Sequence, residues 1–231
     1  MRIPKIIHYC WFGGKPLPKL ALKCRKSWEK FFSGYVIKEW NEQNYDVYTN
    51  EYTKYCYEHK LWAYLSDYVR LDVVEREGGL YFDTDVEVVK KPENVLNSYH
   101  AYFGWETTEY INTGLGFAAE PHHPAVKAML AMYDGLVVDG KYQYDKMQGC
   151  PQLNTTALIS YGLKRDGSKQ HVCEAIILPI EYMCPFCDAT GELTMTENTI
   201  SIHWFRKSPH GKWARLKMNF TRPLHRFLGK Y

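Results

Sequence analysis

The stretch SDYVRLDVVEREGGLYFDTD at residues 66–85 decides the fold, because it joins a helical pattern to a strand that carries two carboxylates. Apolar residues recur at spacings of three and four, which predicts a helix over residues 61–77. Two consecutive glycines follow this helix and supply its stop. The apolar run over residues 80–89 then predicts a strand with Asp83 and Asp85 at its centre.

The rest of the chain predicts a single α/β domain with a mixed central sheet flanked by helices. An apolar strand over residues 3–12 ends at two glycines, and a helix over residues 18–32 and a strand over residues 35–40 follow it. A strand, a helix and a strand of these lengths form a βαβ unit. Further strands are predicted over residues 100–105, 111–119, 175–179 and 199–204, and further helices over residues 124–136 and 152–161.

Composition and charge are those of a globular protein with one basic end. The 231 residues are 45% hydrophobic and 24% charged, and the aromatic share of 16% is high. Residues 206–231 hold eight Lys or Arg and no Asp or Glu, so the first 205 residues carry 21 basic against 26 acidic groups. This balance argues against nucleic acid as a partner of the body. We expect one domain over residues 1–205, with residues 206–231 as its basic amphipathic C-terminal tail.

The cysteines and the N-terminal segment predict a cytoplasmic protein. Seven cysteines is an odd number, and their spacing shows no disulfide framework. The segment MRIPKIIHYCWFGG is typical of a first strand and not of a signal peptide, and no apolar run reaches the ~20 residues of a membrane span. The tail either docks on an anionic membrane surface, at the inner face of the plasma membrane, or packs on the body.

Asp83 and Asp85 stand two apart, so on a strand their carboxylates share one face. Two such charges need a compensating cation, and Mn²⁺ or Mg²⁺ prefers carboxylate ligands. The alternative is an acidic strand end neutralised by neighbouring Lys or Arg. On the preceding helix, Asp67 and Arg70 stand three apart and share a face, which suits either contacts with ribose and phosphate or an intrahelical salt bridge.

Three segments together resemble the family 32 glycosyltransferases: WFGG at residues 11–14, the stretch at residues 66–85, and HWF at residues 203–205. That family includes bacterial capsular-polysaccharide enzymes and fungal mannosyltransferases, and the large glucosylating bacterial toxins share its core motifs. The resemblance follows residues 1–205 in order, and the tail is matched only in being basic. It implies a GT-A (Rossmann-like) nucleotide-sugar-binding fold and retention of anomeric configuration.

The resemblance also implies roles in binding the donor. Trp11 would stack on its base, although a core position beside the glycine turn is the alternative. Asp67 and Arg70 would hold ribose, donor sugar or phosphate, and Tyr81 would line the pocket. The segment INTGLG at residues 111–116 corresponds to a loop that contacts the donor sugar, and Asn112 is the candidate there; turn chemistry is the alternative.

For the metal, the resemblance implies that Asp85 is a direct ligand and that Asp83 acts on ribose or sugar and, through water, on the cation. His203 is a third candidate ligand, and a hydrogen-bonded core histidine is the alternative. Trp204 or Trp213 would cover the diphosphate as part of a closing flap.

The function implied is transfer of a hexose from a nucleotide-sugar, in surface or capsular polysaccharide synthesis. A UDP-sugar is the predicted donor, because the Trp-x-Gly-Gly element accompanies uracil in the toxins; GDP-mannose is the alternative. The acceptor would be a saccharide or a lipid-linked saccharide. The segment GCPQLNT at residues 149–155 resembles a loop near the acceptor, with Asn154 as a weaker candidate.

Retention needs either a carboxylate nucleophile or attack from the face of the leaving group. Glu106 and Glu109 are the nearest carboxylates to INTGLG, but we expect both to be solvated turn residues, which favours front-face attack. Cys184 and Cys187 form a C-x-x-C that offers a structural zinc site or two free thiols. Two other functions stay open: a non-catalytic nucleotide-sugar-binding or carbohydrate-binding module, and a phosphatase of the haloacid-dehalogenase type, in which an Asp is the nucleophile.

Overall fold

The computed structural model describes residues 3–205, which alternate between strands and helices. The predicted tail at residues 206–231, including Trp213, lies outside the described residues. The strands are β1 (Ile6–Cys10), β2 (Val36–Trp40), β3 (Gly79–Tyr81), β4 (Val86–Val88), β5 (Ala101–Gly104), β6 (Phe117–Ala119), β7 (Val137–Val138), β8 (Lys141–Tyr142), β9 (Gln170–Val172), β10 (Ala175–Leu178), β11 (Phe186–Cys187), β12 (Glu192–Leu193) and β13 (Ser201–His203). The helices are α1 (Lys19–Phe31), α2 (Glu51–Glu58), α3 (Trp62–Glu77), α4 (Glu93–Ser98), α5 (Pro124–Ala131), α6 (Cys150–Ile159) and α7 (Ile180–Met183), with a 3-10 turn at Thr113–Leu115.

A seven-stranded mixed sheet forms the centre, in the order β2-β1-β3-β6-β5-β10-β9. Strand β1 is parallel to β2 and β3, and β10 is parallel to β5, whereas β6 runs antiparallel to both β3 and β5. Five strands (β1, β2, β3, β5 and β10) therefore point the same way. Their carboxyl ends meet at one edge, which we call the carboxyl edge, and open α/β sheets bind ligands outside that edge.

Alternating side chains divide the apolar core between the two faces of the sheet. Leu80 packs in one cluster with Trp28 of α1, and Tyr81 packs in the other with Val69 and Val73 of α3. Successive strand residues point to opposite faces, so this alternation covers both faces of the sheet. It also directs the ring of Tyr81 toward α3.

The predicted strand over residues 80–89 was wrong in its middle. Strand β3 ends at Tyr81, and residues 82–85 form a turn in which the amide of Val86 donates to the carbonyl of Asp83 over 3.0 Å. Strand β4 then leaves the central sheet and pairs antiparallel with β13. A continuous strand would bury charged groups among apolar neighbours, which is costly. The turn instead brings Asp83 and Asp85 to the carboxyl edge.

Two further differences concern local signals. Residues 111–119 form an isolated bridge at Ile111, the 3-10 turn and β6, where one strand was predicted. Helix α2 was not predicted; its N-cap is Asn50, whose side chain accepts hydrogen bonds from the amides of Tyr52 and Thr53. Within residues 3–205, no helix combines the length and hydropathy needed to cross a membrane.

The entry into β3 predicts a steric effect on stability. Gly79 has φ +108°, and a Cβ there would lie 2.7 Å from the carbonyl oxygen of Ile6 in β1. Gly79→Ala should lower the free energy of unfolding by about 3 kcal/mol, measured in urea, because strain and overlap add. Gly162→Ala is the matched control, since Gly162 has φ +93° with open space around it, and it should cost about 1 kcal/mol. Equal losses in the two variants would contradict the steric account.

Candidate active site

Four segments converge on residues 82–85, which we call the Asp turn. Helix α3 contributes Asp67 and Arg70, and β13 contributes His203. The 3-10 turn and the first residue of α6 approach from the other side. The Asp turn follows β3, so the site lies at the carboxyl edge of the sheet.

Arg70 is the centre of the buried part of the site. Its Nη2 lies 3.0 Å from Asp67 Oδ1 and donates to Asp83 Oδ1 over 2.9 Å and to Asp83 Oδ2 over 3.2 Å. The hydroxyl of Tyr81 donates to the same Asp83 Oδ1 over 2.9 Å. The Arg70 residue is only 2% exposed. Arg70 therefore lies behind Asp83 and orients it, and the intrahelical pair with Asp67 exists as well.

Burial and neighbouring charges together shift the pKa values of this cluster. Burial by itself would lower the pKa of Arg70, but Asp83, Tyr81 and Asp67 outweigh it and raise that pKa well above its ordinary value. Burial raises the pKa of Asp83 and of Asp67, and Arg70 offsets only part of this effect. One guanidinium thus serves the buried carboxylate of Asp67 and the half-buried carboxylate of Asp83, and Asp85 adds a third carboxylate beside them. Carboxylates therefore outnumber the guanidinium, and a bound cation would offset this excess.

His203 reaches Asp85 through the pairing of β13 with β4. His203 Nε2 lies 3.2 Å from Asp85 Oδ1, and the amide of Trp204 donates to the carbonyl of Asp85 over 3.1 Å. Burial would lower the pKa of His203, but the Asp85 carboxylate outweighs burial and raises it. His203 Nδ1 is buried and has no hydrogen-bond partner among the described residues.

Asp83, Asp85 and His203 each offer one ligand atom, and these atoms lie within 4.8 Å of one another. Over residues 3–205 this is the single such group of three or more His, Cys, Asp or Glu residues. Two carboxylates and one imidazole suit a divalent cation, so the residues present fit a metal. The C-x-x-C at Cys184 and Cys187 does not form such a group, and all seven cysteines are free thiols.

Two residues at this site, Gly114 and Cys150, were not singled out from the sequence. A Cβ on Gly114 would lie 2.6 Å from Asp83 Oδ2, so only glycine leaves that carboxylate its place. Cys150 Sγ accepts from Arg70 Nη1 over 3.4 Å and donates to Asn112 Oδ1 over 3.1 Å. The segments INTGLG and GCPQLNT, which contain Gly114 and Cys150, were the available signal.

The side chains of Asn112 and Asn154 hold this loop together. Asn112 Oδ1 accepts from the amide of Gly114 over 2.6 Å. Asn154, which is fully buried, donates to Thr113 Oγ1 over 2.9 Å. Asn112 therefore caps the 3-10 turn, and Asn154 joins that turn to α6.

Trp11 and Trp204, the two tryptophans named from the sequence that are within the described residues, both pack against the apolar cluster that contains Trp28 and Leu80. Trp11 directly follows β1, the neighbour of β3; it is half-buried, and its indole N–H donates to the carbonyl of Lys15. Trp204 follows β13, and its indole N–H donates to Glu87 over 3.0 Å while its ring packs on Phe186. Trp204 thus covers β4 beside the Asp turn.

Glu106 and Glu109 have different surroundings, although both were expected to be solvated. Glu109 is exposed and pairs with Arg165 over 2.9 Å. Glu106 is half-buried and accepts from Asn112 Nδ2 over 2.6 Å. The expectation for Glu106 was wrong, because its side chain points inward to the side-chain amide of Asn112.

The buried cluster predicts a large stability effect for Arg70. Arg70→Met should cost about 3–5 kcal/mol at pH 7 in urea unfolding, because it leaves buried carboxylates without their partner. Arg76→Met on the same helix is the control: Arg76 is 48% exposed and pairs with Asp72, so it should cost less than about 1 kcal/mol. Asp83→Asn should recover part of the loss in the Arg70→Met background. A loss no larger than that of Arg76→Met would contradict the central role of Arg70.

The sequence and the fold both match known glycosyltransferases. Residues 18–102 match the family model described as the glycosyltransferase sugar-binding region containing DXD motif, and this range includes α3 and the Asp turn. No curated protein matches the sequence. Eighteen chains of solved structures match.

One of them is the PaToxG glycosyltransferase, with a TM-score of 0.53 and 18% identity over 68% of this chain and 69% of that chain. Another is a glycosyltransferase involved in the glycosylation of the major capsid of PBCV-1, with a TM-score of 0.49 and 15% identity over 96% of this chain and 100% of that chain. The protein therefore has the GT-A fold, and it carries the DXD-containing region of the glycosyltransferases that its sequence resembles.

Proposed function

We propose that this protein is a metal-dependent, retaining glycosyltransferase that moves a hexose from a UDP-sugar to a saccharide or lipid-linked saccharide acceptor. The observation that carries the proposal is the convergence of Asp83, Asp85 and His203 within 4.8 Å at the carboxyl edge. Asp83 and Asp85 lie inside the matched DXD glycosyltransferase region, and this supports interpreting the cluster as a metal site of such an enzyme. Surface polysaccharide synthesis, as in the capsular enzymes of the family, is the proposed context.

Asp85 and His203 are the proposed direct ligands of a Mn²⁺ or Mg²⁺ ion. Both carboxylate oxygens of Asp83 already accept hydrogen bonds from Arg70, and one also accepts from Tyr81, which supports a contact through water for Asp83. When bound, the cation would supply positive charge to the diphosphate of the donor.

Arg70 is proposed to act mainly through the carboxylates that it holds. Its Nη atoms are engaged by Asp67, Asp83 and Cys150, and its side chain is almost fully buried. A fixed cation of this kind needs no reorganisation during the reaction, which is the main advantage of a preorganised polar site. Arg70 would therefore keep Asp83 in place and add positive charge behind the donor.

Trp11 is the proposed platform for the uracil base. It follows β1, and β1 lies beside β3, so Trp11 and the Asp turn extend from adjacent parallel strands. Such strands lie about 4.8 Å apart. A half-buried indole can stack on a base at modest entropic cost. Tyr81 and Asn112 would shape the donor pocket from behind, and Trp204 would close it beside His203.

Front-face attack is the proposed route to retention. The bond from the anomeric carbon to the diphosphate oxygen breaks as the acceptor oxygen forms its bond on the same face. The acceptor proton passes to the departing diphosphate oxygen, so no base from the protein is required. The protein residues would orient the donor and exclude water.

The proposed organisation is a catalytic domain over residues 1–205 and a basic tail over residues 206–231. The tail, which lies outside the described residues, would dock a cytoplasmic enzyme on the anionic inner face of the plasma membrane, where a lipid-linked acceptor is found. A sedimentation assay with anionic vesicles would measure this binding.

Asp85→Asn should lower metal-dependent release of UDP at least about a hundredfold, because a neutral amide is a poor ligand for the cation. The assay offers UDP-glucose, UDP-galactose and GDP-mannose with Mn²⁺, with and without EDTA. Asp145→Asn, at an exposed carboxylate, should match the wild type.

Three other outcomes would contradict the proposal. EDTA-insensitive release would exclude the metal role. Metal-dependent binding of UDP without turnover would favour a non-catalytic module. Release of phosphate from simple esters would favour a phosphatase.

Trp11→Ala should raise KM for the UDP-sugar roughly tenfold, because base stacking contributes roughly 1–3 kcal/mol, and kcat should change little. Trp11→Phe keeps an aromatic face and should recover most of the affinity. An unchanged KM in Trp11→Ala would show that the base binds elsewhere.

A further inference from the structure

A concave feature lies at the carboxyl edge, beyond the end of β10. It is a cavity of about 420 Å³. Pro179 and Ile180 at the start of α7 form one wall, and Pro185 and Thr194 at the hairpin of β11 and β12 form the other. The amide of Thr194 donates to the carbonyl of Pro185 over 2.9 Å, which fixes the hairpin wall. Small-molecule sites occupy roughly 300–1,000 Å³, so the volume suits a sugar-sized ligand.

Glu106 connects this cavity with the Asp turn. The amide of Trp105 donates to the carbonyl of Leu178 over 3.0 Å, so Glu106 leaves the sheet beside the residue that precedes Pro179. On its other side, the Glu106 carboxylate accepts from Asn112, which caps the 3-10 turn packed on Asp83. A row of contacts thus runs from Asp83 through the 3-10 turn to Glu106, and the residue that precedes Glu106 is bonded to the end of β10 next to the cavity.

Two further observations place the loop of Glu106 at the cavity. Gly167, in the lining, packs so closely on Thr108 that a Cβ on Gly167 would lie 3.2 Å from the Thr108 Cα. Cys184 also lines the cavity, and burial, followed by the charge of Glu106, raises the pKa of its thiol to about 12. The loop of Glu106 is therefore adjacent to the cavity, and Glu106 itself is not one of the lining residues.

We propose that this cavity binds the acceptor as a hexopyranoside, and that Glu106, in the loop adjacent to the lining, is a positioning residue for the acceptor hydroxyls. The inference rests on the proposed transfer reaction. Pro179, Pro185 and Ile180 offer apolar surface to the C–H face of a pyranose ring. Thr194 and Glu106 offer oxygen atoms to its hydroxyls. A carboxylate forms stronger hydrogen bonds with hydroxyls than a neutral acceptor does.

A bulky side chain at the exposed wall tests the cavity directly. UDP release from the active donor is measured against a series of 4-nitrophenyl glucosides, galactosides and mannosides. Thr194→Trp should raise KM for the stimulating glycoside at least tenfold, because the indole fills the cavity. Thr156→Trp, at an exposed position on α6, should keep the wild-type KM. Thermal melts of both variants report on folding.

The outcomes separate the two proposals. No release of UDP from any donor by the wild type, and no Mn²⁺-dependent binding of UDP, would overturn the proposed transferase function. UDP release that no glycoside stimulates would overturn the acceptor site while leaving the donor site intact. An unchanged KM in Thr194→Trp would place the acceptor outside the cavity.

A second pair of variants tests the role of Glu106. Glu106→Gln should raise KM for the glycoside roughly tenfold, because a charged hydrogen-bond acceptor on the protein is replaced by a neutral amide. Glu109→Gln, three positions along and paired with Arg165, should leave that KM unchanged. If Glu106→Gln lowers UDP binding and leaves KM for the glycoside unchanged, Glu106 belongs to the donor site alone.

Discussion

The buried guanidinium of Arg70 is the constraint on which the rest of the site depends. It lies within hydrogen-bond distance of carboxylates from two elements, Asp67 on α3 and Asp83 after β3. A buried ion pair gains little stability over an apolar pair, but it strongly opposes arrangements that leave a charge unpaired. The position of the Asp turn is therefore tied to the packing of α3, whose residues Leu65, Val69 and Val73 are fully buried.

The fold concentrates chemistry at one edge because five strands of the central sheet share a direction. The turn after β3 carries the acidic pair, the residue after β1 is an aromatic, and the segment after β10 lines the cavity. The proposed donor and acceptor sites would extend from strands of one rigid sheet, which would keep their separation fixed. This arrangement suits a reaction in which two substrates must meet in a defined geometry.

Much of this site could be predicted from the sequence, because its strongest signals are local. The helical spacing that ends at Gly78 and Gly79 predicted that Asp67 and Arg70 share one helix face. It also predicted that the acidic pair follows soon after that helix. The turn at residues 82–85 escaped prediction, since an apolar run has the same pattern whether or not it stays in one sheet. The inward direction of Glu106 and the thiol contact of Cys150 depend on packing between distant segments, and no local pattern encodes such contacts.

The pairing of β13 with β4 has a consequence for the order of events during synthesis. Trp204 and Glu87 are bonded across 117 positions of the chain, and the Asp85–His203 contact spans a similar distance. Contacts between such distant residues form late, because closing a long loop costs entropy before any contact compensates for it. A nascent chain can thus build most of the central sheet while the cluster of Asp83, Asp85 and His203 is still incomplete. The three side chains can meet only after β13 has been synthesised and has paired with β4.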